Sequence, residues 1–165
     1  MKCKLFFLAL TLLTCSITAK SQVRCFDDPN VSVDMDIVAK SKSAILYLTT
    51  YSQTNQMPFD SYVVITFMND SIQELTGYTH NDNAVIETDV NHGFVDRFIS
   101  KTSMILKEKQ VDMFQTGIKS IMIKMFPTSY YREWKTDFMG HALYERYLKS
   151  KENVMFKKKK KESPK

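Results

Sequence analysis

Asp137, His141 and Glu145 recur every four residues in SYYREWKTDFMGHALYERYLK, a spacing that places all three on one stripe of a helix. Two carboxylates and an imidazole on such a stripe are ligand types that a divalent metal ion accepts, and a metal held there can activate water for hydrolysis. They are therefore the candidate metal ligands of a small extracytoplasmic metal-dependent hydrolase. The plainer reading, which the sequence favours, is a solvated polar face opposite Trp134, extended by an ion pair between Glu145 and Lys149. No other catalytic set assembles. The remaining histidines, His80 and His92, fall in expected turns, and the chain has no HExxH, GxSxG, CxxC or phosphate-cradling glycine loop. Asp89-Val90-Asn91-His92-Gly93 opens like a calcium loop, but its glycine comes one place early and no bidentate glutamate follows. Asp34 and Asp36, with Asp27 and Asp28 nearby, read as a surface acidic patch. No cofactor is implied.

Charge divides unevenly along the chain. The formal net charge is +5, yet residues 22–156 carry fourteen basic and seventeen acidic side chains. The excess is carried by Lys157, Lys158, Lys159, Lys160 and Lys161, together with Lys165 and three lysines near the start. A nucleic-acid-binding domain presents its cations on a folded face interleaved with aromatics. This run is a terminal block, so no specific nucleic-acid partner is expected; the block reads as a disordered, solvated tail over 151–165, with anion contact by the five lysines as its alternative role.

The first residues, MKCKLFFLALTLLTCSITAKSQ, have the layout of a secretory signal peptide: lysines, then an apolar stretch from Leu5 to Leu13 too short to span a bilayer, then small residues. The preferred cut precedes Gln22. The chain is thus expected to be secreted or periplasmic. Leu12-Leu13-Thr14-Cys15 also approximates a lipoprotein box, giving the alternative of an outer-membrane lipoprotein lipidated at Cys15. After the cut only Cys25 remains, so no intramolecular disulfide is possible, and pairing between chains stays open.

The elements that must position these residues follow from periodicity. After an N-terminal extension over 22–30, residues 31–150 read as one α+β domain. SAILYLTTYS (43–52), SYVVITFMN (61–69), SIQELTGYT (71–79), AVIETDV (84–90) and GFVDRFIS (93–100) are rich in β-branched and aromatic residues and joined by short turns, which predicts an antiparallel meander of five to six strands. KEKQVDMFQTG (107–117) predicts one short helix stopped by Gly117, ahead of a last strand over 118–126. Ser129 is placed to cap a long amphipathic helix to about Lys149, in which Tyr130, Trp134, Phe138 and Ala142 face the sheet. Gly140 in its middle, unfavourable by about 1 kcal/mol relative to alanine, implies a close approach of the helix to the sheet or a kink.

The order of exported leader, meander, FVDRFISKTSMILKEKQVDMFQTGIKSIMIKM and a final aromatic-rich helix resembles small exported proteins of Bacteroidetes-type bacteria, over residues 43–148. In those proteins a short helix before a strand of the form seen in Gly117-Ile118-Lys119-Ser120-Ile121 is common. The resemblance implies an envelope or secreted domain and transfers no functional residue. The expected function is a non-enzymatic binding or structural module whose partner is a protein or another envelope component, with the metal-dependent hydrolase and a surface-adhesion role for the lysine run as alternatives. Membrane contact is expected only through Cys15 or the tail.

Overall fold

The computed structural model describes residues 23–27, 31–87, 94–137 and 139–162. Alternation of apolar and polar residues is the main builder. In β2 (Val31–Ala39), Val31, Val33, Met35, Ile37 and Ala39 point into the core while the residues between them take the other face. The same rule builds β3 (Ala44–Ser52), β4 (Asp60–Phe67), β5 (Ile72–Glu87), β6 (Phe94–Leu106) and β7 (Ile118–Ile123), and short strands β1 (Val23–Asp27) and β8 (Tyr130–Glu133) flank them. Helix α1 (Glu108–Asp112) runs into a 3-10 turn (Met113–Thr116), and helix α2 (Gly140–Glu162) closes the described chain. The strands form one antiparallel sheet in the order β1-β2-β3-β6-β5-β4-β7-β8.

Strand β5 changes partners along its length. It pairs with β4 from Ile72 to Tyr78, then with β6 from Tyr78 to Glu87. Gly77 sits at the hand-over, where a β-carbon would lie 2.3 Å from the Ser103 carbonyl oxygen and 2.7 Å from Met104 Cγ. Only a glycine lets the two backbones come this close. Below that point the two halves of the sheet part, and α1 with its 3-10 turn fills the opening. Gln73 Nε2 donates to the Gln110 carbonyl at 3.3 Å. Phe114 meets Phe67 edge to face at 5.4 Å.

Helix α2 supplies the rest of the cover. Met139, Leu143 and Tyr147 join the buried core, and farther along Ser150 Oγ accepts a bond of 2.7 Å from the Ala39 N–H. Strand β1 pairs with β2 only over Ser32–Met35, so this serine satisfies a donor on the edge that β1 leaves open.

The expected α+β architecture with its short helix stopped by Gly117 (φ 84°) is present, but three elements differ. The sheet has eight strands rather than five to six, and it is not a plain meander, because the β4–β5 hairpin lies between β6 and β7. The helix expected from Ser129 is strand β8 followed by a turn, since YYRE pairs with Ser120–Ile123, and helical geometry begins only at Gly140. Consequently α1 precedes the penultimate strand. The tail expected to be disordered from 151 is helical through Lys157–Lys161 to Glu162. The leader, Cys15 and the Asn91–Gly93 turn lie outside the described residues.

Candidate functional site

Asp137 stands in the turn before α2, with its side chain only 5% exposed. Its Oδ1 accepts from the N–H groups of Ile118 (2.8 Å), Met139 (3.1 Å) and Gly140 (2.7 Å); its Oδ2 accepts from the His141 N–H (3.2 Å) and meets His141 Nδ1 at 2.5 Å. One carboxylate therefore caps α2 and ties it to the first residue of β7. Burial pushes the Asp137 carboxyl up, but the bonds from Ile118, Gly140 and His141 outweigh it and hold the group below the usual carboxylate range. The cap also explains Gly140: a β-carbon there would lie 2.8 Å from the Phe114 carbonyl oxygen and 2.9 Å from Gly117 Cα. A close approach is present at this glycine, but at the start of the helix rather than its middle, and chiefly against the end of the 3-10 turn where it leads into β7.

This arrangement bears on the candidate metal ligands. Asp137 and His141 are brought together, but both carboxylate oxygens already accept from donors, and Glu145 stays exposed one turn away. Among the described residues no group of three His, Cys, Asp or Glu side chains is placed to hold a metal ion. His80 is not in a turn; it points outward from the middle of β5 and meets Asp82 at 3.0 Å. The bond from Lys101, also at 3.0 Å, holds the Asp82 carboxyl below its ordinary range. Asp34 and Asp36 are not a surface patch: both are buried on β2, and Arg146 of α2 lies 3.6 Å from Asp36. Cys25 falls within β1.

A second constellation lies at the end of the sheet where β3 stops. Thr50, Ser100, Thr102 and Thr79 are buried and occupy adjacent positions on β3, β6 and β5. Hydroxyls here replace the Val, Ile and Leu of the rest of the core face. The chain after β3 crosses them. Ser52 Oγ turns it by accepting from the N–H groups of Thr54 (3.3 Å) and Asn55 (3.0 Å), and fully buried Met57 descends onto the hydroxyls. The Met57 N–H donates to Ser100 Oγ at 3.1 Å, and Asn81 Nδ2 donates to the Met57 carbonyl at 3.0 Å. Buried Thr79 and Thr102 satisfy each other at 2.8 Å.

The crossing segment is clipped to the chain between β7 and β8 by two backbone bonds, Gln56 N–H to the Phe126 carbonyl (3.0 Å) and Phe126 N–H to the Gln56 carbonyl (2.8 Å). Asn55 Nδ2 adds a third, to the Thr128 carbonyl at 3.0 Å. The clip holds Phe126 out in solvent at 76% exposure, across a groove of about 370 Å³ from Phe59, with the Gln56 and Asn81 amides on its walls. Phe59 and Tyr78, both largely exposed, lean on each other with ring centroids 5.6 Å apart. This groove is the candidate binding site. Sequence reasoning passed over it because its parts come from three separated stretches. The available signal was the hydroxyls of Thr50, Ser52, Ser100 and Thr102 at inward positions where apolar residues were due.

Compared with protein-family models, curated proteins and solved structures, the chain gives no match in any of the three.

Proposed function

We propose that the protein is an exported bacterial envelope or secreted protein that acts as a non-enzymatic binding module, with the groove between Phe59 and Phe126 as its contact surface. The single observation that carries this reading is the backbone clip: two hydrogen-bonded loops hold large aromatic rings out in water beside the Gln56 and Asn81 side chains. Exposed aromatics flanked by directional polar groups are the composition that binding hot spots favour. Export is supported by the signal-peptide layout and by the resemblance to Bacteroidetes-type exported proteins. The partner on this reading is a protein or another envelope component.

The test is a screen of the purified chain against immobilised envelope glycans and peptides, run beside the Phe59→Ala/Phe126→Ala double variant. At least one species is expected to be captured by the parent and lost by about tenfold or more in the variant, whose melting temperature stays within a few degrees because both rings are exposed. A parent that captures nothing beyond what the variant captures refutes the proposal. The hydrolase alternative has its own measurement: stoichiometric bound zinc that disappears in His141→Ala would favour it over the present reading.

A further inference from the structure

The distal half of α2 is neither core nor loose tail. Ser150, Asn153 and Val154 still lie along the end of β2, lining an open cleft with Ala39 and Lys40. Past this stretch the helix continues to Glu162, about 12 Å further at 1.5 Å per residue. Two large apolar side chains on it face water: Leu148 at 41% exposure and Met155 at 52%. They are seven residues apart, which is two helical turns and therefore one face. Lys157–Lys161 occupy the helical positions immediately beyond Met155.

We infer that this projecting end of α2 docks on an anionic lipid surface, with Leu148 and Met155 seated among the headgroups and the lysine run against their phosphates. Charge identifies the partner's sign, because residues 22–156 have an acidic balance and the helix end carries the concentrated positive charge. The exposed apolar pair separates a bilayer from a soluble polyanion: a phosphate polymer has nothing for Leu148 and Met155, whereas the headgroup boundary accepts both. Surface docking rather than spanning follows from the helix itself, since no helix among the described residues is long and apolar enough to cross a membrane. The lysines are helical in the free protein, so docking does not have to order them first.

The test is co-sedimentation of the full-length product, as its host processes it, with vesicles of phosphatidylglycerol and phosphatidylcholine or of phosphatidylcholine alone, at low salt and at about 0.3 M salt. Two variants accompany it, one with all five lysines from 157 to 161 replaced by alanine and the other Leu148→Ser/Met155→Ser; both alter positions outside the core, and circular dichroism checks the fold of each. The expected result is binding to anionic vesicles that falls about tenfold in the lysine variant and at high salt, and severalfold in the Leu148→Ser/Met155→Ser variant. Lysine-dependent binding to pure phosphatidylcholine is not expected. Equal binding by parent and lysine variant overturns the inference. So does full retention by Leu148→Ser/Met155→Ser together with complete displacement by dextran sulfate, which assigns the helix end to soluble polyanions. Neither outcome touches the groove, so this inference and the proposed binding function fail independently.

Discussion

Asp137 accepts five hydrogen bonds and thereby holds three backbone segments together: the start of β7, the turn after β8 and the first turn of α2. Replacing it by alanine orphans several buried donors, and the expected loss is about 2–4 kcal/mol in urea unfolding. His141→Ala removes only one of the five and is expected to cost less than about 1 kcal/mol. The acid dependence has a definite sign. Because the folded carboxyl titrates below its unfolded value, the stabilisation is complete above the unfolded pKa of about 3.9 and disappears as pH falls through the lower folded value. Melting temperature should therefore drop on acidification in that window, and Asp137→Asn should flatten that part of the profile. At Gly140 the structure reverses a propensity argument. Alanine normally gains about 1 kcal/mol over glycine in a helix, yet here its β-carbon meets Phe114 and Gly117 backbone, so Gly140→Ala is expected to destabilise. The sequence displayed that glycine as an anomaly and implied close packing; what it hid was the carboxylate beside it, because Asp137 reads as a helical residue as long as Ser129 is taken for the cap.

At the scale of elements, strands with strict alternation were legible and the C-terminal helix was not. Tyr130, Trp134, Phe138 and Ala142 satisfy a helical spacing, but Tyr130 and Tyr131 also suit a strand, and β7 offers them an edge. The Trp134 N–H then donates to the Lys119 carbonyl at 2.8 Å and prolongs the pairing. Tertiary hydrogen bonding decided between two local patterns of similar strength. Strand β2 is the opposite case: Val31, Val33, Met35, Ile37 and Ala39 alternate plainly, and attention to Asp34 and Asp36 as a charged patch concealed it. Asp36 is covered by Arg146 of α2, and Asp34 lies where β1 pairs with β2, neighbours that no local window reveals. Ser150 marks where it does so. Ser150→Ala should cost about 1 kcal/mol and speed hydrogen exchange at the Ala39 amide, with distant amides unchanged.

Over the whole molecule, the sheet is held as one body by the exchange of partners at Gly77. A β-carbon at that point would have to displace the Ser103 carbonyl, so Gly77→Ala is expected to cost more than about 3 kcal/mol, read as a fall in the midpoint of denaturant unfolding. Filling is the other whole-molecule quantity. Met57 reaches the buried hydroxyls from a loop, and Met57→Ala should cost about 2–4 kcal/mol while loosening the clip that exposes Phe126. Neither the hand-over nor the loop could be read from the chain, since both depend on residues more than twenty positions apart meeting across strands. The groove was illegible for the same reason.

The knot of bonds at Asp137 also sets how short this protein can be made. Cutting the chain after residue 136 would remove α2 together with Asp137, whose carboxylate accepts from the Ile118 N–H, while baring Ala39 at the opposite end. Shortened forms that keep β7 and β8 must therefore retain the backbone through Ser150, and a protease nick between Trp134 and Asp137 should release both ends of the fold in a single step.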